Sequence, residues 1–272
     1  MKISSFAVYR VKPRWIFIKL VTDEGIEGWG EMISGTKTET VVAGATELAQ
    51  TLIGRDPFAI ETLWQELYNS FFRGGPINAT IVSGIETALW DIKGKALNVP
   101  IYELLGGRAR DRIKVYSWIG GDRPDDVVRE ALDRKNRGFD AVKMNATEEL
   151  HYIDSYEKVQ AVVDRVASIR KEMGAGFGIA VDFHGRVHKP MAKVLAAALE
   201  PYHLMFLEEV VLPENEEAFR EVAQHVATPL ATGERLCSRW AFKNLFRTGV
   251  IDIIQPDVAL AGGILETRKI IA

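Results

Sequence analysis

The stretch Gly178-Ile-Ala-Val-Asp182-Phe-His184-Gly185 consists of an apolar run followed by an aspartate and a histidine. A short apolar run that is closed by a glycine predicts a buried β-strand. Side chains alternate along a strand, so Asp182 and His184 are predicted to point the same way. The sequence therefore predicts a carboxylate and an imidazole side by side at the exposed end of a buried strand.

Two further acids follow at equal intervals along the chain. The interval from Asp182 to Glu208 equals that from Glu208 to Glu234, and both glutamates also end short apolar runs. One such interval is about the length of a strand, a helix and two loops, so the three acids should share one rim of a parallel sheet. Clustered carboxylates repel one another unless a cation lies between them, and oxygen ligands favour Mg²⁺. The alternative interpretation is that each acid is an ordinary strand-end or helix-capping residue.

Strands and helices alternate regularly from about Ile113 onward. The predicted strands are Val115–Ile119, Ala141–Met144, Ile179–Phe183, Met205–Leu207, Leu230–Thr232 and Ile251–Ile254. This alternation fits either a barrel or a doubly wound sheet. Because the strands end in different polar residues, and no GxGxxG or Walker A sequence occurs, a (β/α)₈-type barrel is favoured.

The first part of the chain has a different pattern. Residues 2–9 and 15–21 alternate as strands of an antiparallel sheet, and helical periodicity follows from Thr40. We therefore predict an α+β domain over residues 1–112 and a barrel domain over residues 113–272.

The composition excludes several classes of protein. The net charge is −3, and no apolar run approaches the roughly 20 residues that are needed to cross a bilayer. We therefore expect a soluble protein that binds neither nucleic acid nor membrane. The single cysteine, Cys237, rules out an internal disulfide and is interpreted as a packing residue, and a cytoplasmic location is expected.

Four motifs resemble one known family. They are Val181-Asp-Phe-His-Gly-Arg-Val187, Phe206-Leu-Glu-Glu209, Thr232-Gly-Glu-Arg235 and Ile254-Gln-Pro-Asp257. Together they are similar to the enolase superfamily, mandelate racemase branch. The resemblance implies an α+β capping domain followed by a modified TIM (β/α)₇β-type barrel, with an acid sugar as the substrate and Mg²⁺ as the cofactor.

The candidate site residues take roles within this scheme. His184 is predicted to be the general acid that protonates the departing hydroxyl, because an imidazole can give up a proton near neutral pH. Lys143 is predicted to neutralise the substrate carboxylate. Asn145 stands where related racemases carry a second lysine as base, which favours dehydration over racemisation. The resemblance further implies that Asp257 orients a catalytic histidine from the next strand.

The resemblance implies a hydro-lyase that converts D-galactonate into 2-dehydro-3-deoxy-D-galactonate and water through an enediolate, in a homo-oligomer. Two alternatives remain: another acid-sugar dehydratase or hydroxy-acid racemase of the same superfamily, and a catalytically inactive fragment that binds metal.

The end of the sequence predicts an incomplete barrel. Residues 262–272 have the pattern of a sixth barrel helix, and none of the five histidines follows Asp257. A barrel of six strands would leave two unpaired edges, so we expect a longer polypeptide, with this chain unable to abstract the α-proton alone. The competing hypothesis is a closed, smaller fold in which Lys143 acts as the base.

Overall fold

The computed structural model of the chain describes residues 1–33, 35–70, 75–147 and 150–272. These residues form two compact units. The first contains Met1–Asp111, Glu234–Phe242 and Pro256–Ala272, and the second contains Arg112–Gly233 and Lys243–Gln255. Within the described ranges, no helix has both the length and the apolar character that a membrane span requires.

The elements of the described chain are, in order, β1 (Ile3–Val11), β2 (Trp15–Thr22), β3 (Glu27–Met32), α1 (Thr38–Gln50), α2 (Ile60–Asn69), α3 (Gly75–Leu97), α4 (Ile101–Leu104), β4 (Ser117–Ile119), α5 (Pro124–Asn136), β5 (Ala141–Asn145), α6 (Tyr156–Met173), β6 (Gly178–Asp182), α7 (Lys189–Leu199), a 3-10 turn (Glu200–Tyr202), β7 (Phe206–Glu208), α8 (Glu216–Ala223), β8 (Leu230–Thr232), α9 (Arg239–Thr248), β9 (Ile253–Ile254) and α10 (Gly263–Ile271).

An antiparallel sheet and helix α3 form the centre of the first unit. Strand β2 lies between β1 and β3, and its alternating residues Ile16, Ile18 and Leu20 are fully buried. The backbones of β3 and α3 lie in close contact at Gly30 and Gly84. A Cβ added at Gly30 would lie only 1.8 Å from the backbone oxygen of Gly84. A residue larger than glycine at position 30 would therefore push the helix away from the sheet.

The buried carboxylate of Glu86, on α3, caps the start of α10. It accepts hydrogen bonds from the backbone N–H groups of Ile264 and Leu265, both at 2.8 Å, and from the Trp90 indole at 2.7 Å. These bonds satisfy N–H groups that have no partner within the helix itself. Burial nevertheless raises the pKa of Glu86 to about 7, because the charged form loses its hydration.

Strands β4 to β9 of the second unit form one parallel sheet in which spatial order follows chain order. A doubly wound sheet reverses its strand order at a switch point. The described strands show no such reversal, and each new strand is added beside the previous one. The second unit is therefore of the barrel type, as predicted.

Side chains of this sheet alternate between two faces. Val181 and Leu207 belong to the large apolar core that also contains side chains of the helices, whereas Ala180, Phe206 and Ala231 form a small apolar cluster on the opposite face. We call this opposite face the inner face. Residues two positions further along the same strands lie on the inner face as well.

The predicted barrel strands all exist, but several bounds differ. β8 has the predicted bounds, whereas β4 begins at Ser117 rather than Val115, and β9 contains only Ile253 and Ile254. Val115 is 58% exposed, so the apolar run before β4 does not mark a buried strand. β6 ends at Asp182, before the predicted end at Phe183.

Candidate active site

The ends of three neighbouring strands bring polar side chains to one level of the inner face. Asn145 of β5 pairs in register with Asp182 of β6, which in turn pairs with Glu208 of β7. Asp182 follows Ala180 by two positions, and Glu208 follows Phe206 in the same way, so both acids lie beyond the inner apolar cluster. The prediction that these two acids lie side by side is confirmed.

Lys143 connects the two acids. Its Nζ lies 2.7 Å from Oε1 and 2.8 Å from Oε2 of Glu208, and 3.3 Å from Oδ2 of Asp182. The side chains of Asp182 and Glu208 are only 4% and 2% exposed. Two carboxylates buried this deeply require a cation close by, and in this structure the Lys143 ammonium supplies it.

The pKa values of this cluster reflect burial and charge together. Burial lowers the pKa of Lys143, but the hydrogen bond that Lys143 donates to Glu208 and the two negative charges outweigh it, so the pKa of Lys143 is raised. Burial is also the main reason that the pKa of Glu208 is raised, with the charge of Asp182 adding to it. The raised pKa of Lys143 favours a charged ammonium, whereas the raised pKa of Glu208 favours a neutral carboxyl group, so the two directions disagree about one ion pair. The bidentate contact favours the charged pair, because an ammonium stabilises the ionised carboxylate.

His184 lies beside Asp182 in a way that differs from the prediction. The strand ends at Asp182, and His184 adopts the left-handed conformation with φ of 56°. Its backbone N–H donates to Oδ1 of Asp182 at 2.7 Å, and its ring Nδ1 lies 3.4 Å from Oδ2. The imidazole therefore reaches the acid through a tight turn and not through strand alternation. It is 33% exposed, so it can exchange protons with solvent.

Glu234 and Asp257 lie beyond the ends of β8 and β9, in segments that belong to the first unit. Asp257 Oδ1 accepts a hydrogen bond from the N–H of Ala259 at 2.9 Å, which stabilises a turn. Among the described residues, no three His, Cys, Asp or Glu side chains are grouped so that they could hold a metal ion. The ligand role of Glu234 and the orienting role of Asp257 stay predictions.

Asn145 lines a cavity of about 470 Å³ together with Trp118, Thr147 and Arg186. Asn145 is also in register with Asp182, although neither Asp182 nor Glu208 lines this cavity. An aromatic ring with amide, hydroxyl and guanidinium groups around it suits a polyhydroxylated ligand.

Two residues of this region were not predicted as site residues. Glu209 is fully buried, has φ of 47°, and accepts hydrogen bonds from the Thr232 hydroxyl and from the Gly233 N–H at 3.3 Å. Gln255 Nε2 donates to Glu208 Oε2 at 2.9 Å. Strand alternation from Ile253 to Gln255 could have revealed the second, since both positions should lie on the inner face.

Comparison with known proteins identifies the family. The model of the mandelate racemase/muconate lactonizing enzyme N-terminal domain matches residues 4–106, and that of the enolase C-terminal domain-like family matches residues 126–272. The chain belongs to the mandelate racemase branch of the enolase superfamily. The resemblance seen in the four motifs is thereby confirmed, and the superfamily architecture is a capping domain with a barrel-type domain.

Members of this superfamily with known names or structures are similar over nearly the whole chain. A D-galactonate dehydratase of Ralstonia nicotianae is 51% identical over 271 residues, which are 99% of this chain and 71% of that protein. A superfamily member from Salmonella Typhimurium superimposes with a TM-score of 0.94 at 32% identity, covering 99% of this chain and 76% of that one. An enolase from Agrobacterium radiobacter with bound sodium and L-malate gives 0.91 at 34% identity, covering 99% and 70%.

Proposed function

We propose that the chain is a hydro-lyase that acts on an acid sugar, with D-galactonate as substrate and 2-dehydro-3-deoxy-D-galactonate and water as products. The observation that carries this proposal is the pair of buried acids beside His184, in a chain that is 51% identical to a D-galactonate dehydratase. Two buried acids held by an ammonium are unusual in a purely structural role, because desolvation makes them costly.

Two of the three predicted ligands offer donors that suit a hard divalent cation. Asp182 and Glu208 present carboxylate oxygens at adjacent strand ends, and Lys143 already occupies the space between them with a positive charge. Oxygen-only donors are the ligands that Mg²⁺ prefers. We propose that Asp182, Glu208 and Glu234 hold Mg²⁺, which would supply charge stabilisation to the substrate carboxylate when the α-proton leaves.

In the proposed elimination, C2 of D-galactonate loses its proton and C3 loses its hydroxyl group, and the resulting enol rearranges to the 2-keto acid. His184 donates its proton to the departing hydroxyl, which leaves as water. The hydrogen bond to Asp182 holds the left-handed turn that presents the ring, and partial exposure lets the imidazole regain a proton from solvent.

Lys143 and Asn145 are proposed to bind substrate oxygens once a cation is present. The Lys143 ammonium is buried among carboxylates, so a substrate carboxylate brought to the same place would find a ready counter-charge. Asn145 offers both a donor and an acceptor from the wall of the neighbouring cavity. Asp257 is proposed to orient the base, as the resemblance implies.

Four further predictions concern the domains, the assembly, the location and the completeness of the barrel. We propose that residues 1–112 form the capping domain and residues 113–272 the barrel domain, which agrees with family matches that end at residue 106 and begin at residue 126. A homo-oligomer and a cytoplasmic location stay predictions. So does the incomplete barrel.

Product analysis tests the proposal. A full-length version of the protein is incubated with Mg²⁺ and a panel of aldonic and aldaric acids, and semicarbazide detects any 2-keto-3-deoxy acid that forms. We expect product from D-galactonate and none when EDTA replaces Mg²⁺.

Other outcomes would identify the alternatives. Keto acid from a different sugar acid alone would overturn the substrate. An epimer formed without water loss would indicate racemisation, and Mg²⁺ binding without turnover of any acid sugar would indicate a non-catalytic metal-binding chain.

A further inference from the structure

Gln255 follows β9 and contacts Glu208 at the end of β7, two strands away in the sheet. Its backbone N–H continues the ladder after β9, donating to the Thr232 carbonyl at 3.0 Å. Its side-chain Nε2 donates to Oε2 of Glu208 at 2.9 Å and lies 3.4 Å from the Tyr116 hydroxyl. The amide therefore binds the same carboxylate that Lys143 holds.

The orientation of this amide is determined by its neighbour. A carboxylate only accepts hydrogen bonds, so the NH₂ end of Gln255 must face Glu208 and the carbonyl end must point away. Within the described part of the chain, Gln255 Oε1 is buried and has no hydrogen-bond partner. A buried acceptor without a partner lowers the stability of the folded chain, so a contribution to folding does not explain a glutamine at position 255.

The two donors to Glu208 differ in charge. Lys143 brings an ammonium, which a divalent cation between the acids would repel, whereas the Gln255 amide is neutral. When such a cation binds, the amide is the donor that can stay in place. It would keep its hydrogen bond to Oε2, so that the Glu208 carboxylate would stay oriented when a cation binds.

We propose that Gln255 is a positioning residue that fixes the Glu208 carboxylate for metal binding. The proposal rests on the proposed function, because it requires a cation at Asp182 and Glu208. Groups that orient a metal ligand typically contribute about 10- to 100-fold in metal affinity. A positioning residue with an unsatisfied acceptor should make that contribution without stabilising the fold.

The test uses the whole chain and measures metal affinity and stability separately. Gln255→Met keeps the length of the side chain but removes the donor, and Gln255→Asn keeps the amide but withdraws it by one methylene. Gln160→Met is the matched control, because Gln160 is exposed and pairs with Asp164 on α6. Mg²⁺ affinity is measured by calorimetry, and that of Mn²⁺ by the electron paramagnetic resonance signal of the free ion. The melting temperature is measured in EDTA.

We expect both Gln255 variants to bind Mg²⁺ and Mn²⁺ about 10- to 100-fold more weakly. Their melting temperatures in EDTA should stay within about 2 °C of the wild type, and the control should match the wild type in both measurements. Variants that bind metal as tightly as the wild type would overturn the positioning role alone. Weaker binding with a much lower melting temperature would assign Gln255 a structural role instead. A wild-type chain that binds neither ion would overturn the metal site and this inference together.

Discussion

Lys143 Nζ lies almost equally far from the two oxygens of Glu208, at 2.7 Å and 2.8 Å, and so forms a bidentate ion pair with a buried carboxylate. Its position within 3.3 Å of Asp182 means that one ammonium serves two acids. The ammonium therefore occupies the place that the proposed metal ion would need. We expect the ammonium and the metal ion to compete for the two acids. A substrate carboxylate that binds the Lys143 ammonium would relieve this competition.

Lys143→Met should make the stability of the protein depend on Mg²⁺. Removing one partner of a buried ion pair costs about 3–5 kcal/mol, because the remaining charges are left without compensation. We expect a loss of this size in EDTA, largely restored by Mg²⁺, in urea unfolding at neutral pH. Lys158→Met, which removes an exposed lysine that pairs with Asp154, should change little under either condition. Equal stability of Lys143→Met and wild type in EDTA would contradict the role of this ammonium.

His184→Asn should slow dehydration by about 10²- to 10⁴-fold while leaving Mg²⁺ affinity nearly unchanged. Asparagine tolerates the left-handed conformation of position 184, so the turn should survive. In a full-length version that contains the base oriented by Asp257, exchange of the α-proton with solvent deuterium should persist, because that base and not His184 removes the proton. His203→Asn is the control, since His203 has a similar φ of 49° but lies after the 3-10 turn. Undiminished dehydration by His184→Asn would exclude His184 as the acid.

Glycine at position 209 should give a more stable protein than alanine, which is the reverse of the usual order in a helix. Both substitutions remove the acceptor for Thr232 and Gly233, but only glycine adopts φ of 47° without steric cost. We expect Glu209→Gly to be more stable than Glu209→Ala by about 1 kcal/mol in urea unfolding. At the exposed helical position Glu47 the order should reverse, because glycine weakens a helix. Greater stability of Glu209→Ala would show that the backbone there relaxes.

Glu86→Gln should flatten the dependence of stability on pH. The pKa of Glu86 is raised from 4.5 to about 7 in the folded chain, so the folded state binds more protons between these values. Its contribution to stability is therefore complete below about pH 4.5 and is lost as the pH rises through about 7. Relative to wild type, the variant should gain about 2–3 kcal/mol between pH 5 and pH 8. Urea unfolding at both pH values measures this difference, and a gain near zero would indicate that Glu86 ionises normally.

The order of the barrel strands and the pair Asp182 and Glu208 could be predicted because both depend on local patterns. Apolar runs that end in acids at equal intervals are visible in the sequence, and parallel strands bring equivalent ends together. The N-terminal sheet was likewise visible as alternation, and β2 begins at the predicted Trp15.

The contacts of the site depend on groups that are distant in the chain. The sequence around Lys143 does not reveal that its ammonium reaches Glu208. That contact depends on the register of β5 with β6 and of β6 with β7. The conformation of His184 could not be predicted either, because a strand pattern does not reveal where extended backbone gives way to a left-handed turn. Gln255 belongs to the motif Ile254-Gln-Pro-Asp257, but the resemblance implies a role only for Asp257 in that motif.

Asn145, Asp182 and Glu208 share one level of the sheet, so the spacing of the site is set by the hydrogen-bond ladder between strands. Adding or removing one residue within β6 would turn Asp182 to the opposite face and separate it from Glu208. The helices between these strands carry no such constraint. Chimaeras with related enzymes whose junctions fall in α6 and α7 should therefore keep the two acids aligned.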